Sequence, residues 1–129
     1  MHVLTIVHFI TKKIINNGIK NLEQIGFKIS FGKHIEENNS FNSTSIVSRI
    51  EDLHDAFADK NVKVIMTVIW DYNSNQLLEY IDYDLIKNNS KILVGYFDIT
   101  ALQNAIFRET GIITYSGPHF FSFGSDIRT

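Results

Sequence analysis

The sequence predicts an α/β domain, with a mostly parallel sheet flanked by helices on both faces in the Rossmann or flavodoxin manner. Three observations predict it. Apolar, β-branched runs recur along the chain and are too continuous for strands with one wet face. Segments with helical apolar spacing lie between them, as the crossovers of a parallel sheet require. The 129 residues, 44% of them hydrophobic, suffice for one buried core and leave no room for a second.

The strand candidates are "HVLTIVHFI", "FKISFG", "VKVIMTVI", "KILVG" and "IITYSG". Between them, "KKIINNGIKNLEQI" and "TSIVSRIEDLHDAFAD" read as helices, the second with Ile46, Ile50, Leu53 and Phe57 on one stripe. "NSNQLLEYI" and "DITALQNAIFRET" follow, the latter with Ile99, Leu102 and Ile106 aligned. Gly26 and Gly32 bracket the second strand, Gly111 reads as a helix C-cap, and Gly117-Pro118 stops the last strand. "GKHIEENNSFNSTS" is polar and Asn-rich, and reads as a mobile loop.

Composition narrows the function. A net charge of -2 and a pI near 6.2, without clustered Lys/Arg and aromatics, argue against nucleic acid as a partner. With no cysteine there is no disulfide, thiol nucleophile or Cys-ligated metal. The opening apolar run is far short of the ~20 residues that span a bilayer, and it lacks the charge and cleavage pattern of a signal peptide. A cytoplasmic protein without a membrane partner is expected.

Ligands in parallel sheets bind outside the carboxyl ends of the strands, which singles out the loops after Ile69 and Gly95. His2, His8, His34, His54 and His119 share no ligand spacing, and Asp82-Tyr83-Asp84 has no further carboxylates beside it. No metal and no cofactor are expected. His54 reads as a packed residue, whereas His8 would end the first strand at the carboxyl edge. Asn73 or Ser74 reads as a helix cap before it reads as a ligand contact. Ser116 and Ser122 lack a strand-turn-helix setting. That setting belongs to "KILVGYFDITAL", where Phe97 occupies the tip of the turn, the place at which many hydrolases carry a nucleophile.

From Gly26 onward the chain resembles the N-terminal domain of the LD-carboxypeptidases and, more closely, the related microcin C self-immunity peptidases. The blocks that carry the resemblance are "GFKISFGKH", "RIEDLHDAFADKNVKVIM", "YNSNQLLEYIDYDLIKNNSKILVGYFDITAL" and "ETGIITYSGP". The small-residue loop that follows the family's first strand is not seen in "HFITKK". The resemblance implies a serine hydrolase that cuts an amide in murein tetrapeptides, or one joining an aminoacyl or peptidyl group to a nucleotide analogue. It also implies a Ser-Glu-His triad whose Glu and His lie in a following C-terminal domain.

Carried over position by position, the nucleophile falls on Phe97, and the two oxyanion-hole amides fall on Asp98 and on Asp71. Trp70 and Asp71 replace the family's Gly-Gly pair. Trp70, Asn73, Asn75 and Tyr96 become candidates for lining the cleft. Phenylalanine has no lone pair to attack a carbonyl, and it is costly at the positive φ of a nucleophile elbow. The turn is therefore expected to relax, or Phe97 to repack inward. Residues 1–118 are expected to form the α/β domain, and residues 119–129 a tail where the family's link to its second domain begins. Three functional readings stand: a truncated, inactive peptidase domain, a binding module for a peptide or aminoacyl-nucleotide, and half of a split assembly. Phe120, Phe121 and Phe123 are expected to be exposed, inviting self-association or a separately encoded C-terminal half.

Overall fold

All five apolar runs contribute strands to a single parallel sheet. The computed structural model describes residues 2–4, 10–37, 44–69 and 73–125. The strands are β1 (His2–Leu4), β2 (Ser30–Phe31), β3 (Val64–Thr67), β4 (Ile92–Gly95) and β5 (Tyr115–Ser116), arranged β2-β1-β3-β4-β5. Every neighbouring pair is parallel, with Ile65 opposite Leu93 and Met66 opposite Val94.

The helices are α1 (Lys12–Gln24), α2 (Ile46–Ala58), α3 (Tyr83–Asn88), α4 (Ile99–Thr110) and α5 (Phe120–Gly124), with a 3-10 helix over Ser74–Tyr80. Local chemistry fixes their starts. The side chains of Thr11, Ser45 and Asp82 accept from the amides of Ile14, Ser48 and Leu85, satisfying donors that the first turn leaves orphaned. Asp82 is thus a helix cap. Gly111 closes α4 in the left-handed conformation at φ 76°, where its missing Cβ removes the steric cost.

Alternation along the strands builds two cores. Ile65 and Leu93 pack with Leu53, Phe57, Ile86, Ile99, Leu102 and Ile106 from α2, α3 and α4. Met66 packs in the other cluster, with Leu22 of α1 and Phe120 of α5. The helices therefore cover both faces. Each fully buried Leu, Ile or Phe contributes about 1.5–3 kcal/mol relative to an exposed one.

Three expectations need correction. On α2, Leu53 and Phe57 are buried but Ile46 and Ile50 only partly so, because the helix turns Ser48, Arg49 and Asp52 inward instead. The segment after Asn73 forms a 3-10 helix, not an α-helix, and α3 begins separately at the Asp82 cap. The phenylalanines near the C-terminus are not left exposed. Phe120 is fully buried, edge-on to Phe31 at 5.5 Å, while Phe121 and Phe123 are half-buried. Two glycines allow α5 to dock this closely on α1, since a Cβ at Gly18 would strike the Phe120 ring and one at Gly124 would strike the Ile14 carbonyl.

Candidate functional site

The turn between β4 and α4 keeps the strained geometry that the sequence reading expected it to lose. Phe97 adopts φ 69°, the one non-glycine positive φ among the described residues, and its side chain is 72% exposed. The turn has not relaxed and the ring has not moved inward. For a bulky L-residue this conformation costs about 1–3 kcal/mol and persists only where the surroundings over-determine it.

Those surroundings are visible on each side of the turn. Below it, Gly95 passes so close to β3 that a Cβ would overlap the Thr67 hydroxyl. The buried Gln103 side chain donates to the Gly95 carbonyl at 3.2 Å and to the Tyr115 carbonyl at 2.7 Å, tying β4, β5 and α4 together. Beyond the turn, the Asp98 carboxylate accepts from the Ser74 amide at 2.7 Å, and the Ser74 hydroxyl donates to the Asp98 carbonyl at 2.7 Å. Ser74 is fully buried. The start of the 3-10 helix is thus clasped to the start of α4, with the turn held between them.

This clasp corrects the expected cap. Asn73 stands at the N-cap position of the 3-10 helix but makes no side-chain cap bond; the Asp98 carboxylate serves the Ser74 amide instead. The Asn73 side chain is engaged elsewhere. The Arg49 guanidinium, reaching from α2, donates to Asn73 Oδ1 at 2.8 Å and to Gln76 Oε1 at 3.1 Å. Arg49 is 3% exposed, and its charge-assisted bonds are partly buried, Gln76 itself being exposed. Asn75 is exposed on the 3-10 helix. Trp70, Asp71 and His8 lie outside the described residues.

His119 is the residue at this site that sequence reasoning missed. It precedes α5, is fully buried, and places Nδ1 2.5 Å from the Thr67 hydroxyl at the carboxyl end of β3. Its ring lies against Tyr96 with centroids 4.3 Å apart, and Tyr96 meets Phe97 edge-on at 6.5 Å. Burial pushes the imidazole pKa down to about 4, against a smaller opposing effect of the Tyr96 main chain. The ring is therefore neutral near neutral pH, a stacked support beneath the turn. A lone histidine without a partner at fixed spacing gave no sequence signal for this.

The other histidines fall into place. His54 is half-buried on α2, and its Nε2 accepts from the Asp82 amide at 3.0 Å, joining α2 to α3. His34 lies in the turn after β2, beside acidic residues of α2. No group of three or more His, Cys, Asp or Glu with metal-holding geometry occurs among the described residues.

The sheet, the strand-turn-helix and the clasped 3-10 helix can be compared with known proteins. The profile of the LD-carboxypeptidase N-terminal domain matches residues 5–117. The chain belongs to the LD-carboxypeptidase family. Among curated relatives of this LD-carboxypeptidase domain, YocD of Bacillus subtilis is 55% identical over 102 residues, covering 79% of this chain and 31% of YocD. The microcin C7 self-immunity protein MccF of Escherichia coli is 38% identical over 108 residues, 83% of this chain and 31% of MccF. A crystal structure of an MccF-like protein from Bacillus anthracis superposes with a TM-score of 0.92 at 47% identity, covering 98% of this chain and 40% of that one. MccF in complex with glutamyl sulfamoyl guanosine gives 0.88 at 32% identity, with 98% and 39% covered. This LD-carboxypeptidase domain spans about a third of the length of the curated relatives it matches. No helix among its described residues is long and apolar enough to cross a membrane.

Proposed function

We propose that this chain is a non-hydrolytic member of the LD-carboxypeptidase family, in which Phe97 stands where its relatives carry the serine nucleophile. One observation carries the reading: the tip of the strand-turn-helix holds φ 69°, and the side chain it presents to solvent is a phenyl ring. A phenyl ring has neither an oxygen to attack an amide carbonyl nor a proton for a base to remove. Loss of a nucleophile alone costs several orders of magnitude in rate. The Asp98 amide would remain as an oxyanion donor, since backbone N-H groups survive side-chain replacement. The Asp98 carboxylate is committed to Ser74, which turns its charge away from that role. Asp71 is the second proposed oxyanion position, and Trp70, Asn73, Asn75 and Tyr96 are the proposed cleft lining.

A second reading, a module that holds a peptide or aminoacyl-nucleotide without turnover, is favoured by the maintained strain. A decayed turn would relax, whereas this one still presents an aromatic face outward beside Tyr96. MccF is known in complexes with glutamyl sulfamoyl guanosine and aspartyl sulfamoyl adenosine, which makes aminoacyl-sulfamoyl nucleosides the first ligands to try.

The test is a hydrolysis assay on a murein tetrapeptide and an aminoacyl-sulfamoyl adenylate, with calorimetry on the same samples, comparing the unaltered chain with Phe97→Ser. The expected result is no turnover by the unaltered chain. Turnover there would overturn the proposal. Binding without turnover would select the sequestering module, and binding lost in Phe97→Ala would place the ligand at this turn.

A further inference from the structure

His34 lies between two carboxylates. Its Nδ1 is 2.8 Å from Glu37 Oε2 on its own segment, and its Nε2 is 3.0 Å from Glu51 Oε2 on α2. Ionised carboxylates only accept hydrogen bonds, and a neutral imidazole carries a single N-H. Only the imidazolium can donate to both at once. The neighbouring groups are arranged around that charge. The His34 amide donates to Asp52 Oδ2 at 3.2 Å, and Lys33 pairs with Glu51 Oε1 at 3.1 Å and Asp55 Oδ2 at 2.6 Å. The chain reaches this position through Gly32, where a Cβ would overlap the Asp52 carboxylate. Two cationic side chains, Lys33 and His34, therefore face four acidic ones, Glu37, Glu51, Asp52 and Asp55.

We propose that His34 is a proton-operated latch: doubly protonated, it fastens the segment 33–37 to α2, and loss of either ring proton releases one of its two carboxylate arms. The inference is independent of any activity at Phe97. Glu51, through its hydrogen bond to the ring, raises the His34 pKa above the ordinary 6.5, with Asp52 and Glu37 acting in the same direction and burial against it. A histidine whose folded pKa is raised contributes stability below the unfolded value and loses it as pH rises through the folded one. The latch is therefore closed in mildly acidic solution and opens as the pH climbs past that titration. Lys33 stays charged throughout, held up by Asp55 and Glu51, so release is confined to the histidine arms. The segment leaves β2 at the carboxyl edge of the sheet, the side on which ligands of parallel sheets bind. The helix it fastens to also carries Arg49, which grips Asn73 beside the Phe97 turn.

The test uses the whole chain. Ring signals of His34 are followed by NMR across pH, in the unaltered protein and in Glu51→Gln, together with amide hydrogen exchange at His34 and Glu37, the latter donating to the His34 carbonyl. The expected midpoint lies above 6.5 with both nitrogens protonated below it, and Glu51→Gln lowers it by about half a unit or more. Exchange protection at the two amides should fall by about threefold or more, beyond intrinsic base catalysis, across the same titration. His34→Arg, charged at every pH, should abolish that step. A midpoint at or below 6.5, a midpoint indifferent to Glu51→Gln, or protection that ignores the titration would overturn the latch.

Discussion

Asp98 and Ser74 hold each other by two reciprocal hydrogen bonds, carboxylate to amide and hydroxyl to carbonyl, each 2.7 Å long. The pair lies immediately after the residue with the least favourable backbone angle in the described structure. Such a clasp is what allows the strain at Phe97 to persist, because a turn free on either side would relax.

Removing the carboxylate half of the clasp should therefore do more than delete one bond. Asp98→Ala leaves the buried Ser74 amide without its acceptor, and about 1–3 kcal/mol of stability should be lost. Chemical denaturation measures this directly. Asp98→Asn, which keeps an acceptor oxygen, should lose visibly less; equal losses would show that the hydrogen bond to Ser74 contributes little.

The strain itself has a signature in paired substitutions. Phe97→Gly relieves the left-handed conformation and sacrifices little packing, since the ring is 72% exposed. Phe97→Ala keeps the penalty. The glycine variant should be the more stable of the two by about 1 kcal/mol, which corresponds to a few degrees in Tm. An alanine variant as stable as the glycine variant would show that φ at this position is not positive in solution.

Acid should act through His119. Its folded pKa is depressed by burial to about 4 while an unfolded histidine titrates near 6.5, so the unfolded chain binds the proton more readily. The stability associated with the neutral ring is full above 6.5 and declines as pH falls from there towards about 4. Thermal unfolding across this window, compared with His119→Phe, isolates the effect. The variant should show a shallower decline, and parallel curves would remove His119 from the account. The sign is opposite to that of His34, which stabilises on the acid side.

The fold was legible because its signals are local or periodic. Strand runs, the stripe of Ile99, Leu102 and Ile106, and the glycines at 26 and 111 each act within a few residues. The site was only half legible. "GYFDIT" marks the turn, but whether Phe97 relaxes depends on Gln103 of the helix that follows and on Ser74, Thr67 and His119, which the fold brings in from other elements. The same holds for Asn73, whose side chain is claimed by Arg49 from another helix before it can cap its own. The phenylalanines of the last turn misled because an apolar tail looks alike whether it frays or folds back. What decides is the glycine at position 18 on the far side of the contact, about a hundred residues earlier.

The contact between α1 and α5 also sets a timetable. Side-chain amides of Asn17 and Asn21 bond the carbonyls of Gly124 and Phe123 across sequence separations of 107 and 102 residues. Helix α1 thus waits for a segment made about a hundred residues later, and the Leu22 cluster lacks Phe120 until that segment has left the ribosome. At synthesis rates of about 5–20 residues per second, that interval is on the order of five to twenty seconds. Throughout it the nascent chain carries an uncovered apolar face, the period in which a chaperone has most reason to hold it.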